Sequence, residues 1–84
     1  MNDVTQIKSQ VRQFITTNFY VAEPAALMDE DSLLDKGIID STGVLELIGF
    51  LESTFGLKVA DAEMVPENLD SIGRISAFVE SKKV

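Results

Sequence analysis

The sequence predicts an all-α fold, a bundle of three full helices and one short helix. Three segments carry apolar residues at the spacing of one helix face, and residues that favour helix ends stand at their boundaries. No stretch alternates apolar and polar residues with a period of two for long enough to require a sheet. Because the chain has only 84 residues, we expect residues 1–84 to form a single small domain.

The first helix is predicted over residues 3–18. Asp3 can cap it, and Gln6, three positions later, completes a pattern typical of a capping box. Its apolar residues recur at steps of three or four and share one stripe: Val4, Ile7, Val11, Phe14 and Ile15. This stripe should face the core.

A long connection, residues 19–40, follows and is interrupted by Pro24 and Gly37. Ordered loops of this length are uncommon unless they have a function or are anchored by apolar residues of their own. Six large apolar residues are available for this anchoring: Leu27, Met28, Leu33, Leu34, Ile38 and Ile39. We therefore expect the loop to pack against the helices with little disorder.

The second full helix is predicted from Ser41 to Phe55. Gly56 should end it, because glycine readily adopts the left-handed backbone conformation that closes a helix. Steps of about 100° per residue place the core stripe of this helix at Val44, Leu47, Ile48, Leu51 and Phe55.

The opposite side of this helix carries a different set of residues. Leu45, Gly49 and Glu52 fall there, with Glu46 beside them. The face combines one large apolar side chain with acids and contains no base, which suits a basic partner. A single exposed leucine usually has no function, so a plain solvated face is the alternative.

The last third of the chain predicts a short helix or turn and then a full helix. The acidic stretch before Pro66 suits the short element, and the proline should drive Val65 out of the helical region. Asp70 or Ser71 is expected to cap the final helix, which ends with two lysines. Its core stripe is predicted at Ile72, Ile75, Phe78 and Val79.

The residue types exclude most chemistry. Without cysteine or histidine, the chain can form no disulfide, no zinc–thiolate site and none of the usual hydrolytic triads, so we expect no catalysis of its own. A calcium loop counted from Asp29 fails because Leu34 stands where glycine is needed. No signal peptide is visible, and no apolar stretch approaches the about 20 residues that cross a bilayer. We expect a cytoplasmic protein.

Charge indicates the class of partner. Fourteen acids oppose seven bases, for a formal net charge of −7, and Lys36 and Lys58 are the only bases between residues 13 and 73. Such a field repels nucleic acid and anionic membranes, and it also favours a monomer. Basic protein surfaces are its natural complement. The alternative is that the acids only keep a small protein soluble.

Asp40 and Ser41 form the candidate site. They stand where a turn containing Gly37 runs into the second full helix. Because the chain offers almost no other reactive side chain, the Ser41 hydroxyl is the group on which another protein would act. On residue type and position alone, a serine at a helix start is more often a cap.

Four segments of the chain resemble the acyl carrier proteins. They are the run Ser-Leu-Leu-Asp-Lys-Gly-Ile-Ile-Asp-Ser at residues 32–41, Leu-Glu-Leu at 45–47, Leu-Glu at 51–52 and Phe-Gly-Leu at 55–57. The resemblance covers nearly the whole chain. It implies a four-helix bundle of acyl-carrier type with a long first loop.

The resemblance also implies a function. Ser41 would carry 4′-phosphopantetheine, which a phosphopantetheinyl transferase takes from coenzyme A, and the thiol of this arm would hold an acyl group as a thioester. The acyl group would serve fatty acid, lipid or specialised metabolite biosynthesis. Partner enzymes with basic patches would dock on a face formed by Asp40, Thr42, Leu45, Glu46, Gly49 and Glu52.

The chain departs from the family pattern directly after the serine. Many fatty-acid carriers have a bulky apolar residue and then an acid there, whereas this chain has Thr42 and Gly43. This difference favours a specialised pathway with its own loading enzyme, and an aminoacyl cargo such as D-alanine stays open. The alternative to a carrier is a helical interaction module in which Ser41 only caps the helix and Leu45 binds a partner helix.

Overall fold

The computed structural model describes residues 4–82, which form helices, turns and loops without a strand. Four α-helices are present: α1 (Val4–Asn18), α2 (Ser41–Phe55), α3 (Pro66–Leu69) and α4 (Ile72–Lys82). Short 3₁₀ turns are formed by Pro24–Ala26 and Asp61–Glu63. Three full helices, one short helix and a long first loop confirm the predicted bundle. The predicted cap Asp3 and the side chain of Val4 lie outside the described part of the chain.

The helical part of the core comes mainly from the predicted helix stripes. Its buried residues are Ile7, Val11 and Ile15 of α1, Leu47, Ile48, Leu51 and Phe55 of α2, and Ile72, Ile75, Phe78 and Val79 of α4. Leu69 of α3, for which no stripe was predicted, is buried as well. Phe14 and Val44, which were predicted for the same stripes, are only partly buried at its edge. The helix periodicity therefore locates the buried faces correctly.

The first loop packs on the helices, as expected. Leu27, Leu33 and Ile39 are buried in the core and Ile38 is half-buried, whereas Met28 and Leu34 are exposed. The three buried side chains are spaced along the loop and remove apolar surface from water. Residues 27–40 achieve this without forming a helix. The loop therefore holds a fixed path from the end of α1 to the start of α2.

Asp29 is the first polar anchor of this loop. The Arg12 guanidinium donates to Asp29 Oδ1 at 2.8 Å and to the Leu27 carbonyl at 2.6 Å, and Lys8 Nζ lies 3.4 Å from Asp29 Oδ2. The backbone N–H of Gly73 in α4 donates to the Asp29 carbonyl at 2.9 Å. The hydrogen bond from Arg12, followed by the nearby Lys8, holds the pKa of Asp29 below its ordinary value of 3.8.

Asp70, between α3 and α4, is the second anchor. Its carboxylate accepts hydrogen bonds from Ser32 Oγ at 2.6 Å and from the Leu34 N–H at 2.9 Å. The Leu33 N–H donates to the Asp70 carbonyl at 2.7 Å. The cap of α4 comes instead from Ser71, whose Oγ accepts from the Arg74 N–H at 3.0 Å. Of the two predicted caps, Ser71 is therefore the correct one.

The short helix follows Pro66 instead of preceding it. Val65 is extended, with φ −127° and ψ 154°, as the proline requires. Proline suits the first position of a helix because its fixed φ is already helical and no hydrogen bond is expected from that position. The acidic stretch before it forms only the second 3₁₀ turn.

Glu63 ties this turn to the end of α4. Its Oε1 accepts from the Ala60 N–H at 2.9 Å and from Lys82 Nζ at 2.9 Å. These contacts, the backbone hydrogen bond from Ala60 first and Lys82 second, hold the pKa of Glu63 below its ordinary value of 4.5. The segment between Glu63 and Asp70, which contains α3, is therefore held by side-chain contacts at both of its ends.

Candidate functional site

The candidate site is built on the N-terminus of α2. Asp40 is the N-cap, with an extended backbone of φ −111° and ψ −172°, and its Oδ1 accepts from the Gly43 N–H at 2.8 Å. The carboxylate satisfies one of the N–H groups that the first turn of a helix leaves without an intrahelical partner. The cap hydrogen bond therefore comes from Asp40, and Ser41 is the first helical residue.

The Ser41 side chain is exposed to solvent. Among residues 4–82, none of the hydrogen bonds involves its hydroxyl. Other serines of the chain use their hydroxyl groups inside the fold: Ser32 donates to Asp70, Ser71 accepts from the Arg74 N–H, Ser76 donates to the Ile72 carbonyl and Ser81 donates to the Phe78 carbonyl. Ser41 thus combines a free hydroxyl with the positive end of a helix dipole.

A groove opens beside Ser41, between the start of α2 and the segment around α3. Its volume is about 280 Å³. Ile39, Ser41 and Val44 line it from the start of α2 and the residues just before it, and Met64 and Leu69 line it from the segment around α3. No charged side chain of the described residues lines it. The site therefore offers one nucleophilic oxygen next to an apolar surface.

Gly43, on the first turn of α2, has a packing role that the sequence did not reveal. It is buried, and a Cβ atom at this position would lie 2.9 Å from Phe19 Cε1 and 3.2 Å from Ile39 Cγ2. Any side chain here would force the Phe19 ring to move. Phe19 is the first residue after α1, and its ring meets that of Phe14 edge to face at 5.8 Å. The first turn of α2 therefore packs directly against the Phe19 ring.

The comparison with known proteins agrees with this site. The chain is 39% identical over 61 residues to D-alanyl carrier proteins of Streptococcus pyogenes serotype M5 (strain Manfredo), serotype M49 (strain NZ131) and serotype M1. Each alignment covers 73% of this chain and 76% of the relative. No family model matches the chain. Identity at this level over most of both chains shows common membership of a family.

The chain belongs to the acyl carrier protein family. The resemblance that the sequence predicted is thereby confirmed, together with its class of function, that of a carrier protein. Gly43 explains part of the departure from the fatty-acid pattern in physical terms, because Phe19 of this carrier occupies the space that a side chain at that position would need.

Four of the six predicted docking residues of the carrier lie along one exposed strip of α2. Thr42, Leu45, Glu46 and Gly49 are exposed, and Leu45 retains 64% of its accessible surface. Glu52 differs from the others, because it is half-buried and accepts a hydrogen bond from a backbone N–H beyond the helix.

That hydrogen bond runs from the Val59 N–H to Glu52 Oε2 at 3.0 Å. Glu52 therefore fixes the chain after α2 in addition to contributing charge. Among the sequence-predicted docking residues, Asp40 likewise has a structural task, since one of its oxygens caps α2. Glu46, by contrast, forms no hydrogen bond or ion pair within the described residues.

Metal binding and membrane insertion were the two remaining possibilities for the described residues. Within residues 4–82, no three acidic side chains converge closely enough to hold a metal ion. No helix in the same part of the chain is long and apolar enough to cross a membrane.

Proposed function

We propose that this carrier holds an aminoacyl or acyl group as a thioester on a 4′-phosphopantetheine arm attached to Ser41. The observation that supports this assignment is the exposed Ser41 hydroxyl, which makes no hydrogen bond within the described residues because Asp40 caps the helix instead. A transferase can engage this oxygen without breaking any hydrogen bond of the described residues. Once the arm is attached, the unpaired N–H groups and the dipole of α2 favour the negative phosphodiester.

The surroundings of Ser41 fit such an arm. The apolar groove of about 280 Å³ beside the serine offers Ile39, Val44 and Met64 as contacts for uncharged parts of the group. When bound, the arm supplies the thiol that a chain without cysteine lacks. Asp40 engages one carboxylate oxygen with the Gly43 N–H, which limits its repulsion of a neighbouring phosphate.

For the cargo, we favour an aminoacyl group over a fatty acyl group. The relatives at 39% identity are named D-alanyl carrier proteins, and that name specifies a small aminoacyl cargo. The fatty acid pathway stays a prediction from the resemblance alone. The partners of this carrier are then a phosphopantetheinyl transferase and an aminoacyl ligase, each with a basic surface that faces the acids of α2.

The attachment is tested by intact mass. The carrier is incubated with coenzyme A and a promiscuous phosphopantetheinyl transferase, and we expect one phosphopantetheine per chain. Ser41→Ala should gain none, whereas Ser53→Ala, which changes an exposed serine of the same helix, should be modified like the wild type. An unmodified wild type, or a modified Ser41→Ala, would reject the carrier function at Ser41 and favour a helical interaction module.

The cargo is tested on the carrier that already holds the arm. It is incubated with ATP and a D-alanine-activating ligase, in parallel with a fatty acyl ligase and a medium-chain acid. We expect a D-alanyl adduct that hydroxylamine releases, as it releases any thioester. Loading by the fatty acyl ligase alone would overturn the aminoacyl assignment while leaving the arm on Ser41 intact.

A further inference from the structure

Asp70 joins the two sides of the groove at the candidate site. Its carboxylate accepts hydrogen bonds from Ser32 Oγ at 2.6 Å and from the Leu34 N–H at 2.9 Å, and its carbonyl accepts from the Leu33 N–H at 2.7 Å. Both leucines line the groove from the first loop, and Leu69, next to Asp70, lines it from the segment around α3. We call these three hydrogen bonds the Asp70 bridge.

The Asp70 bridge is the polar connection across this groove. Among residues 4–82, no other hydrogen bond or ion pair joins the segment 63–70 to residues 19–55. Glu63, at the other end of the segment, bonds instead to Lys82 of α4. The Asp70 carboxylate is not needed as a helix cap, because Ser71 caps α4. The width of the groove therefore depends on the Asp70 bridge and on apolar packing.

The donors of the bridge hold the loop in one position. Ser32 Oγ donates to the Asp70 carboxylate and also accepts from the Asp35 N–H at 3.1 Å, so its hydroxyl is oriented from both sides. Hydrogen bonds to a charged acceptor are stronger than those between neutral groups. A ligand too large for the groove of about 280 Å³ enters only if the two sides separate, which breaks these bonds.

We propose that Asp70 limits the groove to small groups and thereby determines which cargo this carrier can shelter from solvent. The inference rests on the proposed attachment at Ser41, which lines the same groove. A short, polar aminoacyl group does not require the two sides to separate. A long alkyl group would bury apolar surface in a wider groove, but its entry first breaks the Asp70 bridge. Asp70 acts through the residues that line the groove, as a positioning residue.

Three substitutions separate the bridge from the charge of Asp70. Asp70→Ala removes both side-chain acceptors, and Ser32→Ala removes one donor. Asp70→Asn keeps the bridge without the charge, because its amide oxygen can accept from the Leu34 N–H while its amide nitrogen donates to Ser32 Oγ. Asp61→Ala is the matched control, since it removes an exposed acid of the second 3₁₀ turn that does not line the groove.

The main readout is the exposure of the cargo. A promiscuous phosphopantetheinyl transferase attaches the acylated arm from acetyl- or octanoyl-coenzyme A, and hydroxylamine cleavage of both thioesters is timed under native conditions. In Asp70→Ala, we expect cleavage of the octanoyl thioester to be about tenfold slower than in the wild type, which corresponds to shelter for about nine-tenths of the time. The acetyl thioester should be cleaved at one rate in all carriers. Ser32→Ala should show a smaller effect of the same kind, and Asp70→Asn and Asp61→Ala should match the wild type.

Two results of this assay would overturn the inference and leave Ser41 as the attachment site. The first is an equal ratio of octanoyl to acetyl cleavage rates in the wild type and in Asp70→Ala. The second is the same slowing in Asp70→Asn as in Asp70→Ala, which would assign the effect to charge. If Asp70→Ala did not fold, the ratio in Ser32→Ala would decide.

Hydrogen exchange on the carriers without the arm tests the bridge independently of Ser41. The Leu34 amide should exchange faster in Asp70→Ala than in the wild type, whereas amides in the middle of α2, such as that of Leu51, should exchange at unchanged rates. Equal exchange at Leu34 in both proteins would overturn the inference. No modification of the wild type by the transferase would instead reject the proposed function, and the exchange rates would then decide whether the bridge holds the groove closed.

Discussion

Helices α1 and α2 are both 15 residues long, but they use charge in opposite ways. Helix α1 contains Lys8 and Arg12 and no acid, and both bases bind Asp29 of the first loop. Helix α2 contains Glu46 and Glu52 and no base. In a chain with a net charge of −7, two of the few bases are thus placed where they fix the loop that leads to the serine. Helix α2, which carries Ser41, instead presents the exposed acid Glu46 to solvent.

The largest expected effect separates the two helices completely. Ser41→Ala on α2 should abolish attachment of the arm and leave the free energy of unfolding within about 0.5 kcal/mol of the wild type, because Asp40 supplies the cap. Arg12→Ala on α1 should do the reverse. It removes the hydrogen bonds to Asp29 and to the Leu27 carbonyl, so we expect a loss of about 1–2 kcal/mol, after allowance for the solvent exposure of the pair.

Urea unfolding and intact-mass assays on the same three proteins measure both effects. Arg12→Ala should still be modified under conditions in which it is folded. If Arg12→Ala were stable but could not be modified, α1 would belong to the docking surface and the division between the helices would be wrong. A large loss of stability in Ser41→Ala would show that the Ser41 hydroxyl supports the fold.

The second prediction concerns Glu46, the acid of α2 without a structural hydrogen bond in the described residues. Glu46→Lys should slow arm transfer by roughly three- to tenfold at low salt, because electrostatic steering raises association rates. Added salt should slow the wild type more than the variant. Glu80→Lys reverses an exposed acid of α4 and serves as the control. A rate that is indifferent to salt and to Glu46→Lys would return this face to a plain solvated surface.

Local sequence signals were enough to predict α2. Its start follows from Asp40, whose side chain accepts a hydrogen bond from an N–H of the first turn. Its end follows from Gly56, which has φ 67°. The serine at the start and the exposed Leu45 follow from the same pattern. Each of these features depends on residues only a few positions apart, so the sequence alone carries them.

Contacts between distant segments could not be predicted in this way. The Phe19 ring reaches Gly43 across the whole first loop, and Ser32 reaches Asp70 across 38 positions. No periodicity links such pairs, because the loop sets their distance and the loop has no regular repeat. The hydrogen bond from the Val59 N–H to Glu52 could not be predicted for the same reason, because it depends on how the chain turns after α2.

The third prediction tests the anchor on α1 through pH. Because Arg12 and Lys8 lower the pKa of Asp29 in the folded chain, the unfolded chain binds more protons as the pH falls toward and below 3.8. The stability that this ion pair contributes is therefore present above that pH and is lost as the pH falls through the folded pKa. The lowered pKa of Glu63 adds stability with the same pH dependence, and its loss begins as the pH falls toward the ordinary pKa of 4.5.

Asp29→Asn should therefore be less stable than the wild type at neutral pH, and the difference should shrink as the pH falls below about 4. Urea unfolding at a series of pH values measures it. The control, Asp35→Asn, removes an exposed carboxylate that forms none of the ion pairs of the described residues, so its difference from the wild type should not follow this course. A constant difference between Asp29→Asn and the wild type would mean that Asp29 acts through its shape and hydrogen bonds alone.

The smallest expected effect is that of salt on the melting temperature, through the acids that outnumber the bases in the middle of the chain. Between residues 13 and 73 the chain has twelve acids and two bases, so screening should relieve more repulsion there than it weakens attraction at the Arg12–Asp29 pair. Magnesium should raise the melting temperature more than sodium chloride at equal ionic strength, because a divalent ion also bridges carboxylates. A gain of about 1 kcal/mol corresponds to about 4–8 °C in a domain of this size. A flat response would show that the acids are too well solvated to repel one another. A sharp saturation at one calcium ion per chain would instead indicate a specific site, although no three acidic side chains within residues 4–82 converge to form one.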